Sequence, residues 1–257
     1  MNLLFAIVFM FTGKPSTIAD IPLPAGYKRV DQPTGSFGDW LRKMPLKNDK
    51  TVYLYNGEKK PNQGAQYAVL DISVGSKDLQ QCADAVMRLY AEYKYSRAEY
   101  QQISFNATDG TAMDYSSWMK GYRFVTKGNR LQKVLSAAPS SGRSTFDNYL
   151  QVVFSYAGTL SLSKELLQVN DTRNITPGYV FIKGGSPGHA VIVLDVAYNA
   201  KTGDKIFMLA QSYMPAQDIH VLNNPVVTNS PWYTAAISSK LYTPEWIFDK
   251  DELKKFK

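Results

Sequence analysis

At 257 residues and 44% hydrophobic, the chain is long enough to enclose one well-buried core, and its 20% charged content excludes a disordered polyelectrolyte. The net charge of +7 is scattered, its densest groups being Lys59-Lys60 and Lys254-Lys255-Phe256-Lys257. Binding to nucleic acid calls for a concentrated basic stripe that displaces counterions, so nucleic acid is excluded as a partner, whereas a polyanionic envelope surface is compatible with a mild positive balance.

Residues 3–11, Leu-Leu-Phe-Ala-Ile-Val-Phe-Met-Phe, form an unbroken apolar run. It is too short to span a bilayer and has the length of a signal-peptide core. Thr17-Ile18-Ala19 offers small residues for cleavage, which predicts a leader over 1–19 and a single mature domain over 20–257. No basic residue precedes the run, and a buried first strand is the competing reading. With the leader removed, the mature chain is expected to carry no membrane anchor and to reside in the periplasm or outside the cell. The sequence leaves the oligomeric state unknown.

Residues 20–35, rich in Pro and Gly, read as an extended entry. Gln66 to Ser73 reads as a strand. Gly75-Ser76 then opens a long helix expected to run to about Gln101, capped by Ser76 or Asp78, with a start near Gln80 as the alternative and with Cys82, Val86, Leu89 and Tyr93 on one face. Asp84, Arg88 and Glu92, four apart, read as an ion-pair ladder on a solvated face. Ser104 to Ser144 reads as loop. A second long helix is expected from Thr145 to about Leu167, its apolar face including Phe146, Leu150 and Val153, with Gly158 as an interruption.

The last third changes character. Tyr179 to Lys183, His189 to Tyr198, Lys205 to Tyr213 and Asp218 to Leu222 read as strands, and Asn199 to Asp204 as a hairpin loop. Helices first and an antiparallel sheet afterwards predict an α+β fold: two long helices packed on an antiparallel sheet.

Candidates for chemistry are few, because the chain holds one Cys and two His. His189 begins a strand after the turn Gly184-Gly185-Ser186-Pro187-Gly188, where a side chain projects at the rim of a sheet. A helix packed there would bring Cys82 to His189, and a neighbouring imidazole favours the reactive thiolate. A buried, inert cysteine accounts for the same helix stripe. The turn also fits G-x-S-x-G, but Pro187 lacks the N–H that follows the serine in that motif, and a strand, not a helix, comes next. His220 reads as an ordinary strand residue, and two histidines thirty-one positions apart make a poor metal set.

The run His189-Ala190-Val191-Ile192-Val193-Leu194, followed by Phe207-Met208-Leu209-Ala210-Gln211-Ser212-Tyr213, resembles the histidine-to-asparagine hairpin of papain-like cysteine proteases. By that likeness His189 is the base and Gln211 takes the place of the asparagine that orients it. Pro177 to Ile182 resembles the Pro-Gly-Asp strand of CHAP and NlpC-type wall amidases, with Tyr179 where aspartate is usual. The setting Gln80-Gln81-Cys82-Ala83-Asp84 departs from the small-residue context of those nucleophiles. The resemblance implies a papain-like (NlpC/CHAP-type) core. On it Cys82, His189 and Gln211 would hydrolyse a peptide or cell-wall amide without cofactor or metal.

The whole mature chain also resembles a Bacteroidetes family of exported proteins, domain of unknown function 4846. The runs Gly35 to Arg42, Gln80 to Val86 and Gly184 to Val191 carry that likeness. It implies an envelope setting and assigns no activity. A non-catalytic envelope protein that binds glycans or a partner protein is the alternative on the same scaffold.

Overall fold

The computed structural model describes residues 14–257. The apolar run expected as a leader core lies outside the described residues. Its expected cleavage point adjoins Ile18, which is fully buried, and Leu46 N donates to Ser16 O at 2.8 Å.

In chain order, a short 3-10 turn (Ile18–Asp20) leads to β1 (Tyr27–Arg29), α1 (Phe37–Arg42), β2 (Gln66–Val69) and α2 (Cys82–Ser96). Next come the hairpin β3 (Ser104–Asn106) and β4 (Ala112–Asp114), α3 (Tyr115–Met119), and the hairpin β5 (Tyr122–Lys127) and β6 (Arg130–Leu135). Helices α4 (Arg143–Tyr156) and α5 (Thr159–Glu165) precede β7 (Leu167–Gln168), β8 (Val180–Lys183), β9 (His189–Asn199) and β10 (Lys205–Gln211). The chain ends through β11 (His220–Leu222), β12 (Trp232–Thr234), β13 (Lys240–Tyr242), β14 (Ile247–Asp249) and β15 (Leu253–Lys255).

Nine strands make one antiparallel sheet in the order β2-β11-β10-β9-β8-β15-β7, with β1 added to β9 and β12 to β10. Both faces are covered, which is why β9 and β10 read as solid apolar runs and not as alternating ones. Along β9, Ala190, Ile192 and Leu194 enter one core with α2, while Val191 and Val193 enter a second with Phe181, Phe207 and Phe248. Leu194 is an extra residue: Met208 pairs with Asp195, and the next residue, Leu209, pairs with Val193. This bulge reverses the facing of the strand, so Val196 joins the second core and Asp195 turns to the first. There Asp195, fully buried, meets Arg29 and Arg42, each at 2.6 Å.

The expectation of two long helices packed on a sheet is overturned. The sheet dominates, and only three of the five helices reach seven residues (α2 with 15, α4 with 14, α5 with 7). Two causes are local. Residues 76–81 are held out of the helix by tertiary bonds: Asp78 Oδ1 accepts from Ala216 N at 2.7 Å, and Gln80 O lies 2.9 Å from Ser212 Oγ. The expected second helix breaks where Ala157 and Gly158 are both extended, and α4 packs against α2 and α3. The papain-like core expected with those helices falls with them. The stretch read as loop, 104–144, carries two hairpins and α3.

Candidate functional site

Cys82 is the first residue of α2. Gln81 is the cap, and its N–H donates to Asp84 Oδ2 at 3.0 Å, which starts the helix at this point. The first N–H groups of a helix have no intrahelical acceptor, so Cys82 stands among free donors at the positive end of the helix dipole. Ser212 Oγ lies 2.9 Å from both Gln80 O and Gln217 O. The segment that delivers the thiol is thereby tied to the residue that follows Gln211.

His189 opens β9 and Gln211 closes β10. The approach to His189 is tightly built: a Cβ on Gly188 would come within 2.4 Å of Gly185 O and of Thr159 Oγ1. Only glycine passes there, and the turn is thus pinned to the start of α5. Rings surround the imidazole, with centroids at 4.8 Å for Tyr213, 5.3 Å for Trp246 and 5.8 Å for Phe248.

Cys82 and His189 line one cleft of about 430 Å³ together with Gln81, Asp84, Thr159, Ser186, Tyr213 and Trp246. Gln211 lies behind the ring: its Oε1 is 2.8 Å from His189 Nε2. The structure therefore brings the three expected residues into one neighbourhood.

Its electrostatics differ from those of a pre-ionised pair. Burial pushes the Cys82 thiol up to about 11, the Asp84 charge adds to this, and the backbone amides of Ala83, Ala190 and Cys82 act against it. Burial drives His189 down to about 4, with the Gln211 hydrogen bond and the Glu245 charge opposing and Lys60 assisting. Near neutral pH both groups are uncharged.

Three residues at the site are not among those the sequence places there. Glu245 Oε2 accepts from Gln211 Nε2 at 2.7 Å and from Lys60 Nζ at 2.5 Å. Glu245 Oε1 accepts from Asn62 at 3.1 Å. His220 is fully buried, its Nε2 lies 3.4 Å from Gln211 Nε2, and burial lowers it to about 3. Asp84 corrects the solvated-ladder expectation: it is 6% exposed, its Oδ1 has no hydrogen-bond partner, and burial raises its carboxyl well above the ordinary range. Ser186 is exposed on the rim of the cleft. Among the described residues, no group of three or more His, Cys, Asp or Glu side chains is placed to hold a metal ion, and no helix is long and apolar enough to cross a membrane.

The runs Gln80 to Val86 and Gly184 to Val191 contribute to this cleft, whereas Gly35 to Arg42 packs at the far end of α2, on Tyr93, and reaches Asp195 of β9. The model of the family described as "Domain of unknown function (4846)" matches residues 18–255. The chain belongs to that family. No curated protein and no solved structure matches it. The match spans α2, β9, β10 and the Glu245 segment, so every member of the site lies inside the 4846 domain.

Proposed function

We propose that this protein is an exported thiol hydrolase that cleaves a peptide or a cell-wall amide through Cys82 and His189. One observation carries the reading. A thiol on the first residue of a helix shares a cleft with an imidazole held through Nε2, which leaves Nδ1 as the ring's free nitrogen. The likeness of the 189–213 hairpin to that of thiol peptidases supports the same roles. The apolar run at 3–11 supports export.

In this scheme Cys82 Sγ attacks the acyl carbon as its proton moves to His189 Nδ1. His189 then gives that proton to the departing amine, leaving a thioester. Water attacks the thioester, its proton goes to His189, and the released thiolate takes it back. The oxyanion is met by the free N–H of Cys82, with the Gln81 side chain as a second donor on the same cleft wall. Because both groups start neutral, proton transfer accompanies attack and no resting ion pair is used.

The same neutrality favours a second reading, a non-catalytic envelope protein whose cleft binds a glycan or a partner protein. Iodoacetamide labelling from pH about 6 to about 11 separates the two readings, because only the thiolate reacts. For the hydrolase, Cys82 of the folded protein labels at a rate that climbs toward pH about 11, and wall-peptide amides are cleaved by the wild type but by neither Cys82→Ser nor His189→Ala. A cysteine that labels only after unfolding, or amide cleavage that survives His189→Ala, removes the hydrolase and leaves the binder.

A further inference from the structure

An imidazole serves as a base toward Cys82 only if its proton sits on Nε2, away from the cleft. Gln211 alone does not guarantee this, because an amide presents oxygen on one side and N–H on the other. Turned the other way, Gln211 would donate to Nε2, the ring proton would move to Nδ1, and the nitrogen that the hydrolase reading uses as base would be a donor.

Two acceptors hold the amide in one orientation. Glu245 Oε2, 2.7 Å from Gln211 Nε2, is a carboxylate oxygen and only accepts. His220 Nδ1 lies 2.9 Å from Asp218 O, which only accepts, so His220 carries its proton on Nδ1 and presents a lone pair at Nε2 toward the other Gln211 hydrogen, at 3.4 Å. Glu245 is itself held, at 2.5 Å by Lys60, whose side chain is 5% exposed, and at 3.1 Å by Asn62. Trp246, the next residue, packs on the His189 ring at 5.3 Å, so one short segment before β14 controls both the face and the hydrogen bonding of the imidazole.

We infer that Glu245, charge-balanced by buried Lys60, is a positioning residue that acts through Gln211 to fix His189 in its Nε2–H tautomer. The inference rests on the hydrolase reading for its purpose, but its test does not. Two-bond ¹H–¹⁵N correlation spectra of the full chain report both histidine tautomers directly. In the wild type, His189 is expected as Nε2–H and His220 as Nδ1–H. In Glu245→Gln, which supplies a donor where only an acceptor stood, the Nδ1–H form of His189 is expected to rise to a comparable population, with His220 unchanged as the internal check on folding. Glu245→Ala serves if the first variant does not fold. Observing His189 as Nδ1–H in the wild type, or a tautomer unaffected in a folded variant, overturns the inference. A tautomer that answers to Glu245 in a protein whose Cys82 never labels would remove the hydrolase and keep the relay. His189-dependent amide cleavage with an indifferent tautomer would do the reverse.

Discussion

His189 and His220 are both buried and neutral, which makes the fold sensitive to acid in a calculable way. Each has a folded value depressed below the ordinary 6.5, to about 4 and about 3. The unfolded chain therefore binds more protons as the pH falls, and stability that is complete above about 6.5 is lost as the pH drops toward the folded values. Between about pH 8 and about pH 5 each histidine removes about 2 kcal/mol, a figure that barely changes as long as the folded value lies well below 5. Urea unfolding at the two pH values measures the total. The raised carboxyls of Asp84 and Glu165 work in the opposite direction, so the informative quantity is a difference between proteins. His189→Gln and His220→Gln should each shrink the acid loss by about 2 kcal/mol relative to wild type. An acid loss identical in wild type and His189→Gln would show that the ring is solvated and protonates freely, and the buried site described above would be wrong.

Asp195→Asn keeps the shape of the side chain but leaves Arg29 and Arg42, 21% and 14% exposed, without their buried counter-charge. A loss of about 3 kcal/mol is expected, read as a lower thermal midpoint, and an unchanged midpoint would refute the pairing. Asp84→Asn removes a charge that raises the Cys82 thiol, so the labelling profile should move to lower pH while an amide oxygen can still cap Gln81 N. A profile that stays in place would place the carboxyl away from the sulfur.

The strands of the last third were legible because their apolar runs are long and bounded by turn residues. His189 and Gln211 stand where that pattern placed them, at a strand start and a strand end. The helices were less legible because distant partners decide them. Nothing within 76–81 announces that Asp78 will bind Ala216 N or Ser212 the Gln80 carbonyl, and those bonds move the helix start from Ser76 to Cys82. Asp84, three residues after Gln81, fits a capping pattern and reaches back to the Gln81 N–H, but its four-residue spacing to Arg88 imitates a surface ladder. Gly128-Asn129, between two stretches that alternate, is a hairpin signal inside the segment read as loop, and β5 and β6 flank it. Glu245 could not be found from sequence, since its partners Lys60 and Gln211 lie 185 and 34 residues away.

The additional residue in β9 makes one strand serve two purposes. Upstream of Leu194 the odd-numbered positions carry His189 toward the Trp246 and Phe248 rings. Downstream they carry Asp195 to the opposite side, onto its pair of guanidinium groups. Excising Leu194 would restore an uninterrupted pleat and leave both ends facing as they do, because Asp195 and Val193 already pair with the adjacent residues Met208 and Leu209; only the local bend and the Leu194 side chain in the first core would be lost. The kink thus acts as a phase joint, by which two odd-numbered residues of a single stretch of backbone serve the cleft that holds the thiol on one side and the clasp that anchors the amino-terminal segment on the other.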